Sequence, residues 1–245
     1  MEDSTIISCN LNLILSAKIT IFTMVIPIIS AIINFSSLNK ALKLFFGYCM
    51  VNFSINCLEL LYTYGVDNYT SFFRPWLVIT DYSLNFLLIL YQLTTFLFLG
   101  WFFSTLLSSF KYKTWIWRLS ILLCITAVIA YIIEQGWKNY GVFGPTVEAI
   151  YSVVIPLLFL WYLSRKTLGV PLLKNPYFLI SLGLAMPNLI GLFLFFIGDS
   201  LHANYFCLFA RLSIAKNCIM TIGQFLFALA FWRAHFTKYI PPTAI

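Results

Sequence analysis

The chain predicts an all-α integral membrane protein, a seven-transmembrane-helix bundle with its N-terminus outside and its C-terminus cytoplasmic. Three observations carry that expectation. Of 245 residues, 61% are hydrophobic and only 9% are charged, against roughly 25% charged in a soluble domain. Apolar stretches of about 20 residues, the length needed to cross hydrocarbon, recur along the sequence. Lysine and arginine collect in alternate connections between those stretches.

The expected spans are 12–35, 44–64, 76–108, 115–134, 146–164, 176–198 and 205–232. The third and seventh are long enough to tilt or protrude. One membrane domain covers residues 1–245, with no Gly/Ser linker or low-complexity tract between spans. The formal charge of +7 does not read as a nucleic-acid surface, because its residues lie in short loops beside apolar runs. The N-terminal MEDSTIISCNLN is acidic and has no basic leader region, so the first helix is expected to be retained.

Orientation follows from the connections. Lys40, Lys43, Lys111, Lys113, Arg118, Arg165, Lys166, Lys174, Arg233 and Lys238 share one side, which is ten of the fifteen basic residues. The positive-inside rule makes that side cytoplasmic. Trp76 and Trp137 fall at the outer interface, and Trp101, Trp115, Trp117, Trp161 and Trp232 at the inner one, as an aromatic belt requires. Glu2, Asp3, Asp67, Glu134 and Asp199 all lie outside.

The six cysteines form no CxxC pattern and the chain has two histidines, His202 and His235. A structural zinc site is therefore not expected. Cys9 and Cys207 both fall near the outer surface, and the sequence favours two separate thiols over a pair. Pro27, Pro156 and Pro187 interrupt spans one, five and six without the symmetry of an inverted repeat.

Polar residues inside the spans are the expensive ones. Span two carries Asn52, Asn56 and Glu59 at i, i+4, i+7, one helical face. Span three carries Asp81, Asn85, Gln92 and Thr95, and span five opens with Glu148, Tyr151 and Ser152. Span six offers Ser181 and Asn188; span seven offers Ser213, Asn217, Thr221 and Gln224, with Arg211 and Lys216. Span four has little polar beyond Ser120 and Thr126 and is expected to face lipid broadly.

A cation at mid-membrane costs at least about 2.5–3.5 kcal/mol. By depth, Glu59, Asp81, Glu148 and Arg211 lie roughly 3–9 Å below the outer boundary, and Lys216 lies near ~17 Å. Arg211 can snorkel outward. Lys216 cannot, so Glu59 or Glu148 is its expected partner, with Asp81 third. Such residues can be polar glue between helices, worth about 0.6 kcal/mol per contact. Their concentration in one half of the membrane favours an outward-facing pocket instead. Its expected lining is Glu59, Asn56, Asp81, Asn85, Gln92, Glu148, Tyr151, Asn188, Arg211, Lys216 and Asn217.

The function expected first is a sensor or receptor for a small molecule or lipid, signalling through a partner protein. The loops LNKALK, KYKTWIWR and SRKTLGVPLLK are its cytoplasmic surface, and they suit anionic lipid head groups equally. An intramembrane lipid-modifying enzyme using Glu59 and Glu148 as acid and base is one alternative. A proton-coupled transporter is another, because carboxylate–lysine networks also relay protons. No nucleic acid, metal or cofactor is expected, save retinal on Lys216 as a minor variant.

In topology and in its mid-helix Lys216 the chain is similar to microbial rhodopsins, which implies a retinal Schiff base there. It departs from them at Leu212, where they carry an Asp, and lacks their Arg-x-x-Asp-Trp and Trp-x-x-Tyr-Pro motifs. Through Glu59-Leu-Leu-Tyr62, Glu148, Lys174-Asn-Pro-Tyr-Phe-x-Ile-x-x-Gly183 and Lys216-Asn217 it resembles a group of small seven-helix proteins of Bacteroidetes-type bacteria. Gln92 stands where that group often has an acid. The resemblance implies topology and a bacterial inner membrane, and no particular activity.

Overall fold

The computed structural model describes residues 2–69, 87–107, 110–135, 143–165 and 171–239. Among these every regular element is helical. Seven helices are long and apolar enough to cross a membrane: Ile6–Ile33, Lys40–Val66, Leu88–Leu106, Tyr112–Ile133, Phe143–Ser164, Pro176–Gly198 and Phe206–Trp232. The first begins six residues earlier than expected. Asp81 and Asn85 lie outside the described residues, as do Trp76 and Trp137. By proximity along the fold the chain divides into two compact units, residues 1–42 with 152–245, and residues 43–151.

The first unit is organised on its last helix. The first span is two helices, α1 (Glu2–Thr23) and α2 (Val25–Ile33), meeting at Met24. Pro27 explains the break, since its ring clashes with the carbonyl four residues back, Thr23, and it has no N–H to offer it. The Met24 N–H turns to Ile21 O instead, at 3.1 Å. Asn39 starts α3 (Lys40–Asn68) by accepting the Leu42 N–H at 3.1 Å, a side-chain cap.

Two further long helices belong to this unit. They are α8 (Pro176–Asn204) and α9 (Phe206–Trp232), which pack on each other, with α1 and α2 also against α9. Asn175 caps α8 by accepting the N–H groups of Tyr177 at 2.9 Å and Phe178 at 3.4 Å, with Pro176 preset at the first helical position. The segment Lys174-Asn-Pro-Tyr-Phe is thus a helix start.

Pro187 denies a donor to the Gly183 carbonyl, which turns toward α9. A Cβ built on Gly223 would stand 2.8 Å from that oxygen. On the other side of α9, the Asn217 amide donates to Ser16 Oγ at 2.9 Å, and the Thr20 hydroxyl donates to Asn217 O at 3.2 Å. Thr20 and Thr221 hydroxyls lie 3.3 Å apart. The polar stripe of the seventh span therefore faces α1.

Cys9 and Cys207 form a disulfide, with Cα atoms 5.5 Å apart. This corrects the expectation of two separate thiols. Residues 198 positions apart meet because α1 packs along α9, and no local signal encodes that. At the other end of α9, Arg233 donates to the Leu173 carbonyl and the Lys174 ammonium sits 5.7 Å above the Phe236 ring. Arg165, just past the helix α7 (Phe143–Ser164), lies 4.0 Å over Trp161. Cations stacked on aromatic rings at a helix end are membrane-interface anchors.

The second unit holds most of α3, the third span, α6 (Phe110–Ile133) and the start of α7. The third span is α4 (Leu88–Thr94), a π-helical turn (Thr95–Leu99) and α5 (Gly100–Leu106). Ile121, Leu122, Ile125, Val128, Ile129, Ile132 and Ile133 of α6 are exposed, the lipid-facing side expected of span four. Its buried stripe is Ser120, Cys124 and Ala127, at i, i+4, i+7. Small side chains there let α5 approach so closely that a Cβ on Gly100 would collide with Ser120.

Candidate carboxylate site

Two carboxylates of residues 43–151 are held by hydroxyls from one helix. The Tyr91 hydroxyl on α4 donates to Glu59 Oε2 on α3 at 3.2 Å. The Thr95 hydroxyl donates to Glu148 Oε1 on α7 at 2.8 Å. Tyr91 and Thr95 are four residues apart, one helical turn, so one stretch of the third span addresses acids on both neighbours. Each hydroxyl thereby orients its acid.

The π-helical turn begins at Thr95. A π-turn admits an extra residue per turn and re-aims the side chains around it, and such turns occur often at functional sites. Thr95 is buried and so is Gln92, one turn before it. On α7, Gly144 lies four residues before Glu148. Gln92 meets Gly144: a Cβ there would stand 2.6 Å from Gln92 Oε1. The glycine is what lets the amide lie flat on α7. Gln92 is 3% exposed, and its Oε1 has no hydrogen-bond partner among the described residues. Tyr48 completes the wall, with its hydroxyl beside Asn52 and Thr95 and within electrostatic range of Glu148.

The remaining expected residues fall in different places. Tyr151, 4% exposed, pairs its hydroxyl with Ser120 at 2.7 Å and sets its ring edge-on to Phe96. That is a packed core position. Asn56 donates to the carbonyl of Asn52 at 2.8 Å, one turn back on its own helix. In the other unit, Asn188 does the same to Leu184 O at 2.8 Å, and Asn217 binds Ser16 as described. Arg211 is exposed, which suits the snorkelling expected of it. Lys216 rests against α8, where a Cβ on Gly191 would stand 3.5 Å from its Nζ.

Of the expected lining, residues 43–151 bring together Glu59, Gln92 and Glu148. Tyr91, Tyr48 and the clamping role of Thr95 were not anticipated. Spacing held the signal, since a hydroxyl at i and another at i+4 on a helix between two acids can each serve one. Tyrosine is common in membrane helices, however, and by itself points nowhere. Comparison of the chain with protein families, with curated proteins and with solved structures yields no match.

Proposed function

We propose that this multi-pass membrane protein is a receptor of a bacterial inner membrane. Its ligand site is the Glu59–Tyr91–Gln92–Thr95–Glu148 cluster, open to the outer face, and its signal passes to a partner protein. The observation that carries the reading is the paired clamp, Tyr91 to Glu59 and Thr95 to Glu148. Carboxylates inside a membrane are costly and mark functional sites by default. Here they are oriented by hydroxyls rather than pushed aside, and one of those hydroxyls, that of Thr95, opens a π-turn, an element frequent at functional sites.

The outward assignment has two supports of different kinds. The Cys9–Cys207 disulfide belongs on an oxidising side of the membrane. Lys174 and Arg233 at the opposite end of α9, with Arg165 just past the end of α7, are a basic collar that belongs on the cytoplasmic side. Glu59 lies in the last third of α3 and Glu148 in the second turn of α7. With the N-terminus outside, both fall in the outer half.

Water access tests the site. In a background with Cys49, Cys57, Cys124 and Cys218 replaced by serine, a membrane-impermeant trimethylammonium methanethiosulfonate added to intact cells should modify Glu59→Cys. It should leave the neighbouring, lipid-facing Leu58→Cys untouched, because thiolates form only in water. Equal silence at both positions overturns the receptor site. Lipid turnover by the purified protein that is lost in Glu59→Gln and Glu148→Gln would replace the receptor by an enzyme.

A further inference from the structure

Away from the carboxylates, and whichever way they are read, we infer that the Trp232 end of α9 carries a site for an anionic glycerophospholipid. Its phosphodiester is held by Arg233 and Lys174. These two side chains share one patch. Arg233 donates to the carbonyl of Leu173, the residue before Lys174, and the Lys174 ammonium lies 5.7 Å over the Phe236 ring. Phe236 in turn donates its N–H to the Arg233 carbonyl at 3.0 Å. Phe236 also carries the exposed ring of His235, centroids 4.2 Å apart, a further N–H donor. The guanidinium has more N–H groups than the one given to Leu173, and its planar fork matches a phosphate.

No carboxylate of the same unit reaches these cations. Residues 1–42 and 152–245 contain three acids, Glu2, Asp3 and Asp199. Asp199 lies 23 residues beyond Pro176 along α8, roughly 35 Å from its start. Glu2 and Asp3 precede Cys9, which is bonded to Cys207 in the first turn of α9, the end remote from Trp232. Two like charges gathered without an acid repel each other, and an anion shared between them removes that cost. The surroundings say which anion. Leu172, Leu173 and Trp232 are exposed around the cations, and Trp232 closes a span long and apolar enough to cross a membrane. The patch therefore sits at the boundary between hydrocarbon and head groups, the depth of a lipid phosphate. An acyl chain has Leu173 and Trp232 to lie on. The ammonium of a zwitterionic head group would meet two cations, so a net anionic lipid is selected.

The test uses the purified full chain in maltoside detergent and native mass spectrometry of its lipid adducts. Phosphatidylglycerol is expected to saturate one site at least tenfold more tightly than phosphatidylcholine. The double variant Lys174→Gln, Arg233→Gln should bring phosphatidylglycerol down to the phosphatidylcholine level. Lys174→Gln alone keeps the bond from Arg233 to Leu173 and should weaken binding about fivefold, the worth of one basic residue at an anionic surface. Lys113→Gln with Arg118→Gln removes the same charge from α6 and should leave the adduct within twofold of wild type. Equal binding of the two lipids overturns the inference, as does equal loss in the α6 variant, which would make the effect one of net charge. Displacement of the lipid by excess inorganic phosphate would show a site for a soluble phosphate and overturn the lipid. Displacement by an acidic peptide would overturn it in favour of a protein partner.

Discussion

At the scale of single residues, two glycines separate packing from site. Gly223 faces a backbone oxygen: a Cβ there would stand 2.8 Å from Gly183 O, and backbone cannot swing away. Gly223→Ala should therefore destabilise the chain by roughly 1–3 kcal/mol, the usual cost of overpacking, visible as a lower thermal midpoint in detergent. Gly144 faces the end of a side chain instead, the Gln92 amide at 2.6 Å. Gly144→Ala should displace that amide at little cost in stability. A matched loss of stability in the two variants would show that Gln92 is mere packing. Glu59, Gln92 and Glu148 were legible in the sequence because charge and amide are scarce in apolar helices. Tyr91 was not, because nothing about a membrane tyrosine announces that its hydroxyl serves an acid 32 residues earlier.

At the scale of elements, breaks in helices divide into those with a sequence signature and those without. The break at Met24 follows from Pro27 and was readable as an interrupted span. The π-turn at Thr95–Leu99 carries no proline and no internal glycine, so local composition is silent about it. It arises where Thr95 must reach Glu148 while Phe96 and Leu99 stay buried. Deleting Leu97 should convert the turn to plain α-helix, since a π-turn is an α-helix with one residue added. The residues before it would then rotate by about 100° relative to those after it. Modification of Glu59→Cys from outside should be lost while helical circular dichroism and monodisperse elution persist. Retained modification in that variant would mean that the turn does not set the positions of Tyr91 and Thr95.

At the scale of the whole molecule, the seven spans were legible because hydrocarbon imposes length and apolarity on every crossing helix. The link between the first and last spans was not, since it depends on α1 lying along α9. Joining Cys9 to Cys207 constrains a loop of nearly the whole chain. Chain entropy alone would make that worth about 5 kcal/mol in water, and a chain already confined to a bilayer has less freedom to lose. Cys9→Ser should accordingly lower the thermal midpoint by roughly 4–8 °C, the shift for about 2 kcal/mol in a chain of this size. The same bond reports direction. With the four free cysteines replaced, an impermeant maleimide should label intact cells after brief treatment with an impermeant phosphine, and should not label them before. Labelling that requires permeabilised cells would place Cys9 and Cys207 on the cytoplasmic side. That outcome would reverse every span, turn the Arg165, Lys174 and Arg233 collar outward, and put Glu59 and Glu148 in the inner half of the membrane. A ligand arriving from outside the cell could then no longer reach them.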